Sequence, residues 1–151
     1  MKIAIGYRKA KRTDIEFLLT LRKASMSEHL TRAGINMSDE QHTTRVMEFF
    51  TDSHIILRNN ETVGVIKLGV FPASLHIRQF QILPLFHNEG IGSCVINVIK
   101  KQAIKLLLPI TLNVLIENPA KALYLRHGFY VTDKNSLEYQ MRWDHKEQNN
   151  Q

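Results

Sequence analysis

The sequence predicts a mixed α/β (α+β) domain, with one mixed sheet carrying helices on both faces. Its elements run β-α-α-β-β-β-α-β-α-β-β along the chain. The three consecutive strands in that order argue for an antiparallel half. The strand–helix–strand passage from Leu75 to Ile116 argues for a parallel pair joined by a right-handed crossover. The chain has 151 residues, 44% apolar and 23% charged, which suits one sizeable core without staples. A single domain over 1–144 is expected, followed by a polar, disordered tail over 145–151.

Ile3–Arg8 reads as a short strand. Thr13-Asp14-Ile15-Glu16 has capping-box spacing, and Ile15, Leu18, Leu19, Leu21 and Met26 support an amphipathic helix to about Leu30. Gly34 breaks it. Ser38-Asp39-Glu40-Gln41 repeats the cap signal for a second helix, with Val46, Met47, Phe49 and Phe50 on its apolar side. The period then shortens to that of strands. Ile55–Leu57, the turn Asn59-Asn60 and Val63–Val70 form a hairpin, and Leu75–Leu83 is a third strand ended by Pro84. From Gly90 the pattern is helical again, with Ile91, Cys94, Val95, Val98 and Ile99 on one face. Thr111–Ile116 is an inner strand. Asn118-Pro119 opens a short helix that Gly128 closes, because glycine suits the left-handed position after a helix. Phe129–Thr132 and Leu137–Trp143 are closing strands.

The formal charge is +6, and the basic residues are scattered along the chain. Such an excess favours anionic partners in general and singles out none. The lone Cys94 fits a reducing compartment and is read as a small core residue, with a reactive thiol as the alternative. No sustained apolar run marks a signal peptide or a membrane span, so a cytoplasmic location with no membrane partner is expected.

The richest local signal is Gln81-Ile82-Leu83-Pro84-Leu85-Phe86-His87-Asn88-Glu89-Gly90-Ile91-Gly92-Ser93. A strand enters a loop, and two glycines stand where a helix begins. The first amides of a helix lack internal partners and sit at its positive end, where a phosphate fits. A turn or close helix packing also explains such a pair of glycines. No Gly-Lys-Ser/Thr follows, so this is not a P-loop. A Rossmann fingerprint is excluded as well, since Val95 occupies the third glycine position.

A second segment, Asn118-Pro119-Ala120-Lys121-Ala122-Leu123-Tyr124-Leu125-Arg126-His127-Gly128-Phe129, completes the pattern. Together the two resemble the GCN5-related N-acetyltransferase (GNAT) superfamily. Its signatures are Gln/Arg-x-x-Gly-x-Gly/Ala after a strand and, later, Asn-x-x-Ala-x-x-x-Tyr-x-x-x-Gly-Phe. Asn118, Tyr124, Gly128 and Phe129 match, while Lys121 stands where many members carry a small residue. His87 replaces the usual Gln or Arg, and Asn88-Glu89 replaces residues that are commonly basic. The resemblance spans Ile3 to Trp143 and implies a mostly antiparallel twisted sheet with one splayed parallel pair.

By that resemblance the chain transfers an acetyl group from acetyl-CoA to a primary amine, carried by a small molecule or a peptide, by direct attack in a ternary complex. The amides of Asn88, Glu89, Gly90, Ile91, Gly92 and Ser93 would cradle the pyrophosphate, with Glu89 mildly repulsive. Gln81 and Ile82 would pair with the pantetheine arm. Asn118 would contact that arm, serve as a helix cap, or do both. Tyr124 would donate to the departing thiolate, its alternative being a core tyrosine packed on Phe129. A phenol near pKa ~10 giving its proton to a thiolate near ~8.5 is uphill by about 2 kcal/mol, so a hydrogen bond fits better than early transfer. His76 aligns with strand positions where some members place a base. It could relay the amine proton or be an edge-strand residue of no consequence.

Glu28 and His29 are weaker candidates for that role, while Arg78, Gln79 and Gln81 could shape the acceptor pocket. No spacing suggests a metal site. A non-catalytic acyl-CoA sensor is the main alternative, with Tyr124 counting against it. A nucleic-acid partner is not expected, because no basic stripe with interleaved aromatics is present. Homodimers are common in the superfamily, so a dimer is compatible.

Overall fold

The computed structural model describes residues 3–145, and the expected tail beyond His145 lies outside them. Seven strands form one sheet in the order β1-β2-β3-β4-β5-β7-β6. They are β1 (Ile5–Lys9), β2 (Ser53–Arg58), β3 (Glu61–Val70), β4 (Leu75–Ile82), β5 (Ile110–Leu115), β6 (Tyr130–Lys134) and β7 (Glu138–Trp143). Every neighbouring pair is antiparallel except β4 with β5. The helices are α1 (Ile15–Arg32), α2 (Asp39–Met47), α3 (Ile91–Leu106) and α4 (Lys121–Arg126). Both expected features of the fold, the antiparallel half and the single parallel pair, are present.

Two hydrophobic clusters lie on opposite faces of the sheet. Leu18 and Leu21 of α1 and Val46 of α2 pack on Ile55 and Val65. Ile91, Val95, Ile96, Ile99 and Ala103 of α3 pack on Ile66, Ile77, Leu112 and Met141 on the other side. The inward stripe of α3 is therefore rotated from the expected one. Cys94 and Val98 are exposed, while Ile96 and Ala103 take their places inside. Cys94 is not a core residue.

Local chemistry explains the boundaries. Asn59 and Asn60 both have positive φ (50° and 69°), the geometry of a two-residue hairpin turn. Ser38 and Gln41 form a reciprocal capping box, Ser38 Oγ accepting from Gln41 N at 3.2 Å and Gln41 Oε1 from Ser38 N at 2.8 Å. The box expected at Thr13 is absent. Asp14 instead accepts from Lys11 N at 2.7 Å and holds Arg8 in a two-point pair at 2.8 and 2.9 Å. The second helix stops at Met47, three residues earlier than its apolar pattern suggests. Phe49 follows in the left-handed region (φ 52°), and Phe50 begins a separate 3₁₀ turn.

The end of α2 is held by a buried lysine. Lys67 Nζ of β3 donates to the carbonyls of Arg45, Val46 and Glu48 at 3.3, 3.2 and 2.6 Å. A cation suits the negative end of a helix and satisfies carbonyls that have no helical donor. Burial draws this ammonium down to about 8, and the nearby Arg22 guanidinium adds to the effect. An unfolded lysine keeps its proton to about 10.4. Between pH 7.5 and 9 the unfolded chain thus binds more protons here than the folded one, so stability rises with pH. Urea midpoints should increase over that interval in the wild type and show no such increase in Lys67→Met.

Candidate active site

The parallel register between β4 and β5 is short. Leu75, His76 and Ile77 face Ile110, Thr111 and Leu112, and beyond them the strands part. β5 stays paired with β7 along its whole length, while β4 stays on β3. A bulge opposite Lys67 and Leu68 leaves Arg78 as the extra residue, which bends β4 where the separation starts. The result is a cleft of about 530 Å³ between the unpaired halves, roofed by α1 and α2.

Phe80 and Ile82 direct their backbone groups to the edge of β4 that no strand pairs. Leu83 N bonds Val63 O across β3, so by antiparallel alternation Gln81 also directs its backbone groups to β3. Gln81 therefore enters the cleft as a buried side chain, accepting from Gln79 Nε2 at 2.8 Å. The Ile82 carbonyl is met by His87 Nε2 at 2.8 Å, an imidazole that ties the following loop back to the strand.

That loop delivers the glycines to the start of α3. Gly90 has φ +83°, and a Cβ built on it would meet nothing within 4 Å. The first helical bond runs from Cys94 N to Gly90 O, so the amides of Ile91, Gly92 and Ser93 have no intrahelical acceptor. A Cβ on Gly92 would come within 2.9 Å of Leu123, so that glycine serves close packing of α3 on α4. Asn88 also has positive φ, 64°. Glu89 turns away to an ion pair with Arg58 of β2 at 2.7 Å. Its expected repulsion is thereby offset by a neighbouring cation. Ser93 Oγ lies 2.9 Å from His127 Nε2 at the end of α4.

On the opposite wall, Asn118 Oδ1 accepts from Ala120 N at 2.9 Å and starts the turn into α4. Its side-chain nitrogen is not needed for that cap, and Asn118 lines the cleft. Tyr124 also lines the cleft, with its ring tilted against Phe129 at 5.5 Å. Burial raises its phenol well above the ordinary value, so the hydroxyl stays protonated through the neutral range. His76 stands at the last paired turns of the parallel register, with Nδ1 2.8 Å from Thr111 Oγ1. Burial lowers its pKa and Arg78 lowers it further, leaving a neutral imidazole at pH 7.

Gln81, Asn118, Tyr124 and His76 thus meet at one cleft, and the loop of Asn88–Ser93 adjoins the free end of β4. Glu28 and His29 do not line it; Glu28 pairs with Arg32 on the outer side of α1. Arg22 and Arg45 border the cleft without having been singled out in the sequence. One signal for Arg22 was available. It falls on the i, i+4 stripe of Leu18, Met26 and Leu30, where an arginine is out of place on an apolar face. Among the described residues, no group of three or more His, Cys, Asp or Glu could hold a metal ion, and no helix is long and apolar enough to cross a membrane.

The sheet is thus splayed at its one parallel pair, with helix amides that have no intrahelical acceptor beside the opening. The acetyltransferase (GNAT) domain family model matches residues 23–143, and the chain belongs to that family. Among solved structures, it is similar to the PaiA N-acetyltransferase from Thermoplasma acidophilum in complex with coenzyme A. Identity there is 18% and TM-score 0.74, covering 94% of this chain and 99% of that one. PH1933 from Pyrococcus horikoshii OT3 has 18% identity and TM-score 0.75, with the same coverage. The ribosomal-protein-S18-alanine N-acetyltransferase from Escherichia coli has 14% identity and TM-score 0.68, covering 93% of each chain. These likenesses establish the fold. None of the curated proteins compared matches the chain.

Gly90→Ala isolates the backbone requirement, because no neighbour stands in the way of the added methyl. It should cost about 1–2 kcal/mol in urea unfolding, the penalty of an L-residue in the left-handed region.

Proposed function

We propose that this chain transfers the acetyl group of acetyl-CoA to a primary amine by direct attack in a ternary complex. The observation that carries the reading is the juxtaposition of the splayed β4–β5 cleft with the three unpaired amides of α3. The open space over Gly90 and the offset charge of Glu89 make that helix start a fit for a pyrophosphate. Ile91, Gly92 and Ser93 would hold it through their amides, within the loop of Asn88–Ser93. Phe80 and Ile82 offer the strand edge to the pantetheine arm, and Asn118 offers its side-chain nitrogen. When bound, acetyl-CoA supplies the activated acyl carbon and a thiolate leaving group.

The chain's own residues manage the protons. Tyr124 keeps its hydroxyl hydrogen because burial disfavours the phenolate. A raised phenol makes complete transfer to a thiolate costlier still, so Tyr124 acts by donating a hydrogen bond to the developing negative charge. The amine must lose a proton to react, and an alkylammonium near pKa ~10.4 needs help at pH 7. His76 is neutral there and is held by Thr111, which fits a relay for that proton.

A panel of primary amines assayed with acetyl-CoA, by free-thiol release and product mass, tests the reading directly. Absence of transfer to every amine would leave a binding protein without this activity. Tyr124→Phe keeps the ring contact with Phe129 and removes the hydroxyl. It should lower kcat by about 10- to 1,000-fold while acetyl-CoA affinity, measured by calorimetry, stays near wild type.

The histidine has its own signature. With a weakly basic acceptor, kcat/KM should fall as pH drops through an apparent pKa below 6.5, because protonated His76 cannot accept. His76→Ala should abolish that limb. An unchanged pH profile in the variant would remove His76 from the reaction.

A further inference from the structure

Arg22 is the only guanidinium bordering the cleft that is buried, at 8% exposure, and it has no carboxylate partner among the described residues. It enters from α1 on the inward stripe with Met26 and Leu30. Its Nε donates to His42 Nδ1 at 3.2 Å, and Nη2 points at the Met37 sulfur at 3.8 Å. His42 is itself buried, and burial lowers its pKa, with Arg22 adding to the effect. It is therefore a neutral acceptor that fixes the guanidinium and neutralises nothing. Nη1 has no hydrogen-bond acceptor among the described residues.

The surroundings do not supply the missing anion. Burial and the neighbouring Arg45 together draw Arg22 down to about 10, with Glu48 opposing them, and at that value the guanidinium is still a cation at neutral pH. Glu48 is a nearby carboxylate on that side, but it is engaged by Arg45 at 3.2 Å. Asp52 is engaged by Arg78 at 3.3 Å. Around the cleft, three arginines (22, 45 and 78) face one carboxylate, Glu138. A buried charge without a counter-charge is among the costliest arrangements in a fold, and such a group suits a ligand that completes it.

We propose that Arg22 receives the carboxylate of the acceptor, so that the acceptor is a small amine bearing a carboxylate, of the free α-amino-acid class. The inference rests on the acetyl-transfer reading given above and names the substrate class for the same cleft. An arginine recognises a carboxylate through charge-assisted N–H donors, and Nη1 is the donor left for it. Met26, Leu30, Ile35 and Met37 form an apolar wall beside that donor, which selects an apolar side chain on the amino acid. The same charge pattern rejects polycationic amines, because like charges in a partly desolvated cleft repel.

Binding and turnover together test the assignment. N-acetyl-L-leucine and its neutral carboxamide, N-acetyl-L-leucinamide, are titrated by calorimetry into the wild-type protein saturated with coenzyme A. The two probes share shape and lack a titrating amine, so they differ only in the anion. The acid should bind about 10- to 100-fold more tightly than the amide, the range for a charge-assisted hydrogen bond. Arg22→Met should remove that preference while leaving coenzyme A affinity unchanged, and Arg22→Lys, which keeps the charge, should retain part of it. Equal affinities in the wild type, no binding of the acid, or a preference that survives Arg22→Met would each overturn the assignment. The wild-type comparison stands even where a variant fails to fold.

Leucine, its decarboxylated analogue isoamylamine, and spermidine are then compared as acceptors by thiol release. Transfer to isoamylamine or spermidine with no acid preference would refute the carboxylate site and leave acetyl transfer standing. An Arg22-dependent acid preference with no transfer to any amine would uphold the site and refute the transferase reading.

Discussion

β4 and β5 are held in parallel register for three residue pairs, and then each strand keeps only its other neighbour. A strand edge normally seeks a partner, because exposed amides and carbonyls are a liability in a sheet. Here the edges are kept apart by pairing on the outer sides. β7 grips β5 along its whole length, and the Arg78 bulge turns β4 away from it. The opening is therefore a property of the sheet itself and needs no loop to prop it open. Everything that borders the cleft, from His76 at its base to Asn118 and Tyr124 on its far wall, takes its place from that parting.

Charge is arranged around the opening with similar economy. The start of α3 presents amides with no acceptor among the described residues, and Glu89 beside them is drawn off by Arg58. The opposite side, under α1 and α2, is rich in cations whose partners differ in kind. Lys67 is satisfied by helix carbonyls, Arg78 by Asp52 and an aromatic face, and Arg45 by Glu48. Arg22 is the exception, a buried guanidinium with no carboxylate partner among the described residues.

Much of this was legible in the sequence where a residue type has one local meaning. Asn59-Asn60 and Gly128 mark left-handed positions, Ser38 and Gln41 a reciprocal cap, and the Gly90–Ser93 stretch a helix start after a strand. Reading failed where several local solutions were equal. Apolar residues occur on two faces of α3, so periodicity could not decide between Cys94 and Ile96 for the interior. Thr13 has the spacing of a cap, but Asp14 has a better partner in Arg8, six residues earlier in the chain. Phe49 in the left-handed region has no sequence signature at all, since nothing about phenylalanine favours it. The partners of Lys67, Arg58 and Arg22 are tertiary, and no local pattern encodes them.

The two hydrophobic clusters do not share a residue, because the sheet lies between them. The side that carries α3 and the glycine loop is packed independently of the side that carries α1, α2 and Arg22. Substitutions in separate packing units tend to add and seldom interfere. Substitutions in the α1–α2 layer can therefore reshape that wall of the cleft while the α3 layer beneath keeps its own packing.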